Sequence, residues 1–255
     1  PEIADLLAGV RTWVEIESHT PDIAGVNAMA DQVTTDYEKC GAEVTRISGT
    51  GYGDHLVVRA PWGGSYNAPG ILIISHMDTV HPKGTLKTFP FRTEGDLAFG
   101  PGIYDMKGGA YCAMRAVSDL AAGSGAPLPV THLFVADEEI GSPTSKDLIV
   151  DLGRAAKHVL VTEPAREGGK IVVARKGAVR YEVTTHGEAS HAGARHGDGR
   201  SAIKEMAHVI LKLEALTDYA RGTTCNVGLI KGGTGTNVVP AKCWIKVDIR
   251  IADMA

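Results

Sequence analysis

The sequence is short of cysteine and has no long hydrophobic run. Its four cysteines, Cys40, Cys112, Cys225 and Cys243, form no CxxC pair, so neither a disulfide framework nor a zinc–thiolate site is expected. No apolar stretch approaches the roughly 18 residues that a membrane-crossing helix needs. Neither charge dominates: 26 basic against 30 acidic residues give a net −4, with a pI near 6.2. That balance argues against binding nucleic acid or a membrane surface through bulk charge. Internal repeats and low-complexity tracts are also missing. What remains is an ordinary globular composition, 44% hydrophobic and 22% charged, which argues against disorder. Glycine is the exception, at 31 of 255 residues. Its excess suggests many tight turns or close backbone approaches.

A length of 255 residues fits one large domain or two modest ones, and the residue pattern divides in two. Ile3, Leu6, Leu7, Val10 and Val14 recur at helical spacing, as do Ile23, Val26, Met29, Val33 and Tyr37 before Gly41. Strands are predicted over 42–47, 55–60 and 71–75, a helix over 107–122, a strand over 130–136, a helix near 143–152 and a strand over 158–162. Ile71 to Ile74 is continuously apolar, as expected of a strand covered on both faces. This alternation predicts an α/β domain with helices on both faces of its sheet. The texture changes near residue 175. A strand over 179–185, a helix over 199–216 and strands over 223–231 and 242–251 read as α+β, with 232–237 as a loop. The expected domains are therefore 1–175 and 176–255.

The chemistry-bearing residues gather where predicted strands end, which is where ligands bind open α/β sheets. His76 and Asp78, in Ser75-His76-Met77-Asp78-Thr79, point the same way in an extended segment. A carboxylate beside an imidazole can set its tautomer, although a surface or capping pair would look the same. Asp105 follows the Gly100-Pro101-Gly102 loop and opens the next helix, so it reads as an N-cap or as a rigidly presented ligand; Lys107 reads as solvated. Asp137, Glu138 and Glu139 form an acidic run at a strand end. It is either a solvated loop or a cluster neutralised by a cation. Glu163 tips another apolar strand. One such acid is commonplace, but four clusters are not. His76, Asp105, Glu139 and Glu163 make a nitrogen and oxygen donor set suited to zinc or a similar divalent ion. A bridging carboxylate between two ions would fit a two-metal hydrolase, with Glu138 left as general base for the attacking water.

The stretches SHMDTV, GPGIYDMKGG, DEEIGS, TEP, ASHAG and NVVPAKC together resemble metallopeptidase family M20, which includes glutamate carboxypeptidase, acetylornithine deacetylase, succinyl-diaminopimelate desuccinylase and aminoacylase. The resemblance implies a zinc-exopeptidase-like mixed sheet with helices on both faces and an inserted, ferredoxin-like α+β lid or dimerisation domain. It implies that His76, Asp105 and Glu163 bind one zinc ion. Asp105 would bridge to a second zinc, which Glu139 also binds, and cobalt or manganese could substitute. Glu138 would be the general base, Asp78 would orient His76, and the Asp105–Met106 peptide would be cis. His191 would reach the substrate carbonyl, usually in the partner subunit's active site, while Asn226 and Arg250 would contact the substrate or its carboxylate. His191 lies among small residues in what reads as an exposed, mobile loop. Arg250 suits a carboxylate held bidentately or, as readily, a surface salt bridge.

The expected activity is zinc-dependent hydrolysis of an amide in a small carboxylate-bearing substrate, as by a glutamate-carboxypeptidase-like exopeptidase. An N-acyl amino acid deacylase of the same family and an inactive scaffold are the alternatives. A homodimer through the lid is expected, and no nucleic acid or membrane partner. A dinucleotide site is disfavoured because 49–53 and 233–235 lack GxGxxG spacing. The family's final histidine ligand has no counterpart here, since His186, His196 and His208 fall in the lid. The chain opens on Pro1 and stops at Ala255, so it is expected to be a fragment with apolar surface left exposed. A cytoplasmic location is favoured, with a periplasmic or secreted one left open.

Overall fold

The computed structural model describes residues 2–62 and 69–252. Pro1 and Ala255, the outer limits of the two predicted domains, lie outside the described residues. The chain forms two compact units, Pro1–Ala165 and Arg166–Ala255. The first contains helices α1 (Ile3–Val14) and α2 (Ile23–Glu38), strands β1 (Glu43–Ile47), β2 (His55–Arg59) and β3 (Ile71–His76), and a hairpin of β4 (Arg92–Glu94) and β5 (Leu97–Phe99). It continues through helix α3 (Gly108–Ala122), strand β6 (Val130–Val135), helix α4 (Lys146–Ala155) and strand β7 (His158–Val161).

The main sheet has the order β1-β2-β6-β3-β7. It is mixed: β3 runs parallel to β6 and β7, while β2 is antiparallel to β1 and β6. The two-residue period of a strand divides its side chains between two cores. Leu56, Val58, Ile73, Val130 and Phe134 face the apolar sides of α1, α2 and α3. Val57, Leu72, Leu133 and Val135 face Leu148, Ile149 and Leu152 of α4. Helices thus cover both faces, as predicted. At the centre of the larger core Trp13 meets Tyr111 edge-on at 5.1 Å and Phe134 at 6.1 Å. Such fully buried large side chains contribute about 1.5–3 kcal/mol each. β7 is an edge strand and all four of its residues are exposed. The β4–β5 hairpin escaped the sequence reading because its three-residue strands are largely exposed and show no apolar alternation.

The second unit contains β8 (Gly177–His186), β9 (Ser190–His191), helix α5 (Ala202–Glu214), β10 (Thr224–Gly232), β11 (Val238–Val239) and β12 (Lys242–Ile251). β10, β12 and β8 make an antiparallel sheet in that order. Cys243, Ile245 and Val247 alternate along β12 and pack with Ala202 and Met206 of α5. Ser201 caps α5 by accepting from the Lys204 amide at 3.2 Å. This is the α+β pattern expected, with the short β9–β11 ladder added.

Candidate metal centre

His76 ends β3 and is almost fully buried. Its Nδ1 lies 2.9 Å from the backbone carbonyl oxygen of Asp78. A carbonyl only accepts, so Nδ1 carries the proton and Nε2 is the coordinating atom of the neutral ring. The Asp78 carboxylate is farther from Nδ1, at 3.5 Å. Asp78 therefore orients the ring chiefly through its main chain. Its side chain does something else. Buried completely, it accepts from Thr20 Oγ1 at 2.8 Å and from the amides of Glu138 and Glu139, both at 3.2 Å. A buried carboxylate needs such partners, and these tie the acidic turn to the end of β3. Removing one donor from a buried carboxylate costs about 1–3 kcal/mol. Thr20→Val should lower stability by that order in urea melts; an unchanged midpoint would remove Thr20 from the clamp.

Nε2 of His76 faces the acids. Asp105 Oδ1 is at 2.9 Å, Glu163 Oε1 at 3.7 Å and Glu138 Oε2 at 4.0 Å. Among the described residues, two triads have donor atoms within 4.8 Å of one another: His76 with Glu138 and Glu163, and His76 with Asp105 and Glu139. All five residues predicted as metal ligands or general base thus converge. The triads do not follow the division implied by resemblance, because Glu138 groups with His76 and Glu163. One imidazole nitrogen among carboxylate oxygens suits zinc or a similar divalent ion, so the donor set fits the expected cofactor.

The electrostatics agree with an ion-seeking site. Burial opposes protonation of His76, but Asp105 and Asp78 outweigh it and push the ring up to about 11. The hydrogen bond from His76 holds Asp105 below its ordinary value. Burial pushes Glu139 up, with Asp105, Asp78 and Glu138 adding to the effect against His76. Without a metal the proton on His76 is thus the cation that these acids hold. A ligating imidazole must lose that proton. Ion uptake near pH 7.5 should therefore release about one proton from His76, and apparent affinity should rise about tenfold per pH unit. Calorimetry in buffers of different ionisation enthalpy reads the proton count. No release at all would place His76 outside the coordination set.

Several readings from sequence change. Asp105 does not cap α3; Lys107 occupies that position, with no side-chain capping bond. Asp105 instead has extended backbone angles (φ −121°, ψ 99°) in the turn before α3, next to a cis Asp105–Met106 peptide, and its carboxylate is left for His76. Lys107 is not solvated. It is buried and donates to the carbonyls of Trp13 and Ile16 at the end of α1. Burial pushes it down to about 7, against the pull of Glu17. Asp137 is not part of an ion-neutralised run. It accepts from the amides and hydroxyls of Thr144 and Ser145 at 2.6–3.2 Å, so it anchors the turn that carries Glu138 and Glu139. Gly109 serves a close approach, since a Cβ there would lie 2.1 Å from the Thr162 carbonyl oxygen.

In the second unit His191 is not in a free loop. It pairs with Val238 in the β9–β11 ladder, and Nδ1 accepts from the amides of Gly193 and Ala194 at 3.2 and 3.1 Å. The neutral ring's proton is therefore on Nε2, and the side chain is an exposed hydrogen-bond donor. Arg250 Nε and Nη2 grip Asp248 at 2.6 and 3.1 Å, the salt-bridge alternative. Asn226 pairs in register with Asp248. Thr20, Asp137 and Lys107 have structural roles at the site that sequence did not reveal. His132 was also missed, although the β6 alternation already put it on the core side with Val130 and Phe134.

The first unit is thus a mixed α/β sheet with a candidate metal centre of one histidine and several carboxylates at its strand ends, and the second is an antiparallel α+β unit. Residues 173–255 match the family model described as the peptidase dimerisation domain of M20. The chain is 36% identical over 243 residues to carboxypeptidase G2 of Pseudomonas sp. (strain RS-16), covering 94% of this chain and 58% of that protein. It is 31% identical over 196 residues to a peptidase M20 domain-containing protein of Schizosaccharomyces pombe, covering 74% and 47%. The chain thus spans roughly half the length of these relatives. Aminopeptidase PepT from Bacillus cereus superposes with a TM-score of 0.81 at 25% identity, over 98% of this chain and 66% of that one. The M20 metallo-carboxypeptidase Sso-CP2 from Sulfolobus solfataricus shares the fold, with a TM-score of 0.74 at 18% identity over 98% and 72%. The second unit thus matches the M20 dimerisation domain, and nearly the whole chain is similar to M20 metallopeptidases.

Proposed function

We propose that this chain carries the greater part of a two-zinc exopeptidase that hydrolyses an amide next to a free carboxylate, in the manner of a glutamate carboxypeptidase. The observation that carries the reading is the convergence of Asp105, Glu138 and Glu163 on Nε2 of His76, with Glu139 in the second triad. His76, Asp105, Glu139 and Glu163 would hold the ions. When bound, these would polarise the scissile carbonyl and acidify water. Glu138, half exposed, takes the proton of the attacking water and returns it to the leaving amine. His191 supplies Nε2–H to the substrate carbonyl oxygen in the partner subunit's active site. Arg250 takes a substrate carboxylate by sharing or leaving Asp248, and Asn226 stands opposite Asp248 on the neighbouring strand β10.

The name of the Pseudomonas relative, a carboxypeptidase, turns the reading toward release of a C-terminal residue. The match to a dimerisation domain supports a homodimer formed through the second unit. The test is product release by the zinc-loaded protein from two panels: peptides and acyl conjugates ending in glutamate or other amino acids, and N-acetyl or N-succinyl amino acids. Free C-terminal glutamate from the first panel is expected. Acetate or succinate as the only product would replace the exopeptidase with a deacylase.

A further inference from the structure

A chain of buried polar side chains crosses the sheet just behind the acids. Tyr37 of α2 lies with its hydroxyl 2.5 Å from Nδ1 of His132 on β6. Nε2 of His132 is 2.7 Å from Ser75 Oγ on β3. Ser75 Oγ is 2.6 Å from Thr162 Oγ1, one residue past β7. Tyr37, His132 and Ser75 are all at most 1% exposed. Phe134 stacks on the imidazole at 4.0 Å between ring centroids, and Tyr37 meets it edge-on.

The polarity of this chain as far as Ser75 follows from burial. The ring of His132 is neutral, with burial pushing it down to about 3. Burial also keeps the Tyr37 phenol protonated. A buried O–H needs an acceptor, and Nδ1 is in reach. With Nδ1 accepting, the ring proton sits on Nε2 and is donated to Ser75. Ser75 Oγ and Thr162 Oγ1 share the next hydrogen bond, in which either hydroxyl can donate.

Its position gives it a consequence. Ser75 precedes His76, and Thr162 precedes Glu163. β7 is an edge strand, and its ladder with β3 runs from Ile71↔His158 to Ile74↔Val161, closing with Thr162 N on the Ile74 carbonyl at 3.2 Å. Beyond that bond the hydroxyl bridge ties the two strand ends together immediately before His76 and Glu163, whose facing atoms are 3.7 Å apart. We propose that His132 is a positioning residue. Fixed by Tyr37 as the Nε2–H tautomer, it holds the Ser75–Thr162 bridge that sets the spacing of His76 and Glu163 and hence the affinity for the ion.

This role rests on the reading of His76 and Glu163 as metal ligands, and the experiment separates the two. The full chain is stripped of metal and titrated with cobalt(II), reading both affinity and the visible absorption of the bound ion. Thr162→Val keeps the branched shape and deletes the hydroxyl. It should lower cobalt affinity about tenfold to a hundredfold, the range found when groups behind metal ligands are lost. It should also alter the cobalt spectrum while leaving the thermal midpoint near wild type. Thr162→Ser should restore affinity and spectrum. Tyr37→Phe, which deletes only the phenol oxygen, should move both in the same direction and carries the test if Thr162→Val does not fold. Wild-type uptake of cobalt together with unchanged uptake by the folded variants would overturn the positioning role alone. A wild-type chain that takes up no cobalt would overturn this role and the metal reading together.

Discussion

Glu138→Gln should stop turnover and leave the metal content unchanged. General-base catalysis contributes about 10²–10⁴-fold in rate, so kcat should fall by that factor. The substitution preserves size and cannot accept a proton. The surrounding structure should tolerate it, because the backbone amide of Glu138, not its carboxylate, is the group bound by Asp78. The side chain is 47% exposed and can meet a substrate without unpacking the core. Activity against a C-terminal glutamate conjugate and zinc content by atomic absorption are measured on the same preparation. Loss of zinc with loss of activity would make Glu138 a ligand, as its grouping with His76 and Glu163 allows. Glu138 and Glu139 would then exchange roles. Full activity would remove Glu138 from the chemistry.

His76→Ala should abolish tight metal binding while leaving a folded protein. His76 is the nitrogen donor of both triads. Groups that merely orient a ligand are worth about 10–100-fold in affinity; losing the ligand itself should cost at least that much. The change also removes the positive charge that Asp105, Glu138 and Glu163 share in the ion-free protein, leaving acids that repel one another. Cobalt(II) titration, followed by absorption and checked by circular dichroism for the fold, reads the result. Wild-type affinity in His76→Ala would show that the carboxylates suffice, and the centre would then be an oxygen-only site of the kind that suits magnesium or calcium.

Most helices and long strands were legible because their signal is local. Ile3 to Val14 and Ile23 to Tyr37 carry the helical period through one apolar face. The apolar run at Ile71–Ile74 marks a strand covered on both faces. The donor set was legible for a related reason. An acid or histidine directly after an apolar strand sits at a sheet end, and several of these in one chain suggest a common point. The roles of the neighbours were not legible. Asp137 and Glu138 are adjacent and chemically alike. Only the folded turn sends one carboxylate inward to Thr144 and Ser145 and leaves the other beside His76. Lys107 read as solvated because its charge predicts exposure, yet the end of α1 presents it with the carbonyls of Trp13 and Ile16.

By itself the sequence determined the helical and strand periods, the two-part division in texture, the scarcity of thiols and net charge, and the identity of one histidine and four carboxylates as metal-centre candidates. These are properties of neighbouring residues, and the chain's own periodicity expresses them. Tertiary structure decided which atom of His76 is free to coordinate, because the carbonyl that takes its Nδ1 proton depends on the turn after β3. It decided that Asp78 clamps the acidic turn 60 residues away in sequence. It joined Tyr37, His132, Ser75 and Thr162 into one row across α2, β6, β3 and the end of β7. Hydrogen bonds of a few ångströms between distant segments have no counterpart in local pattern, since they exist only after the sheet has brought those strands side by side.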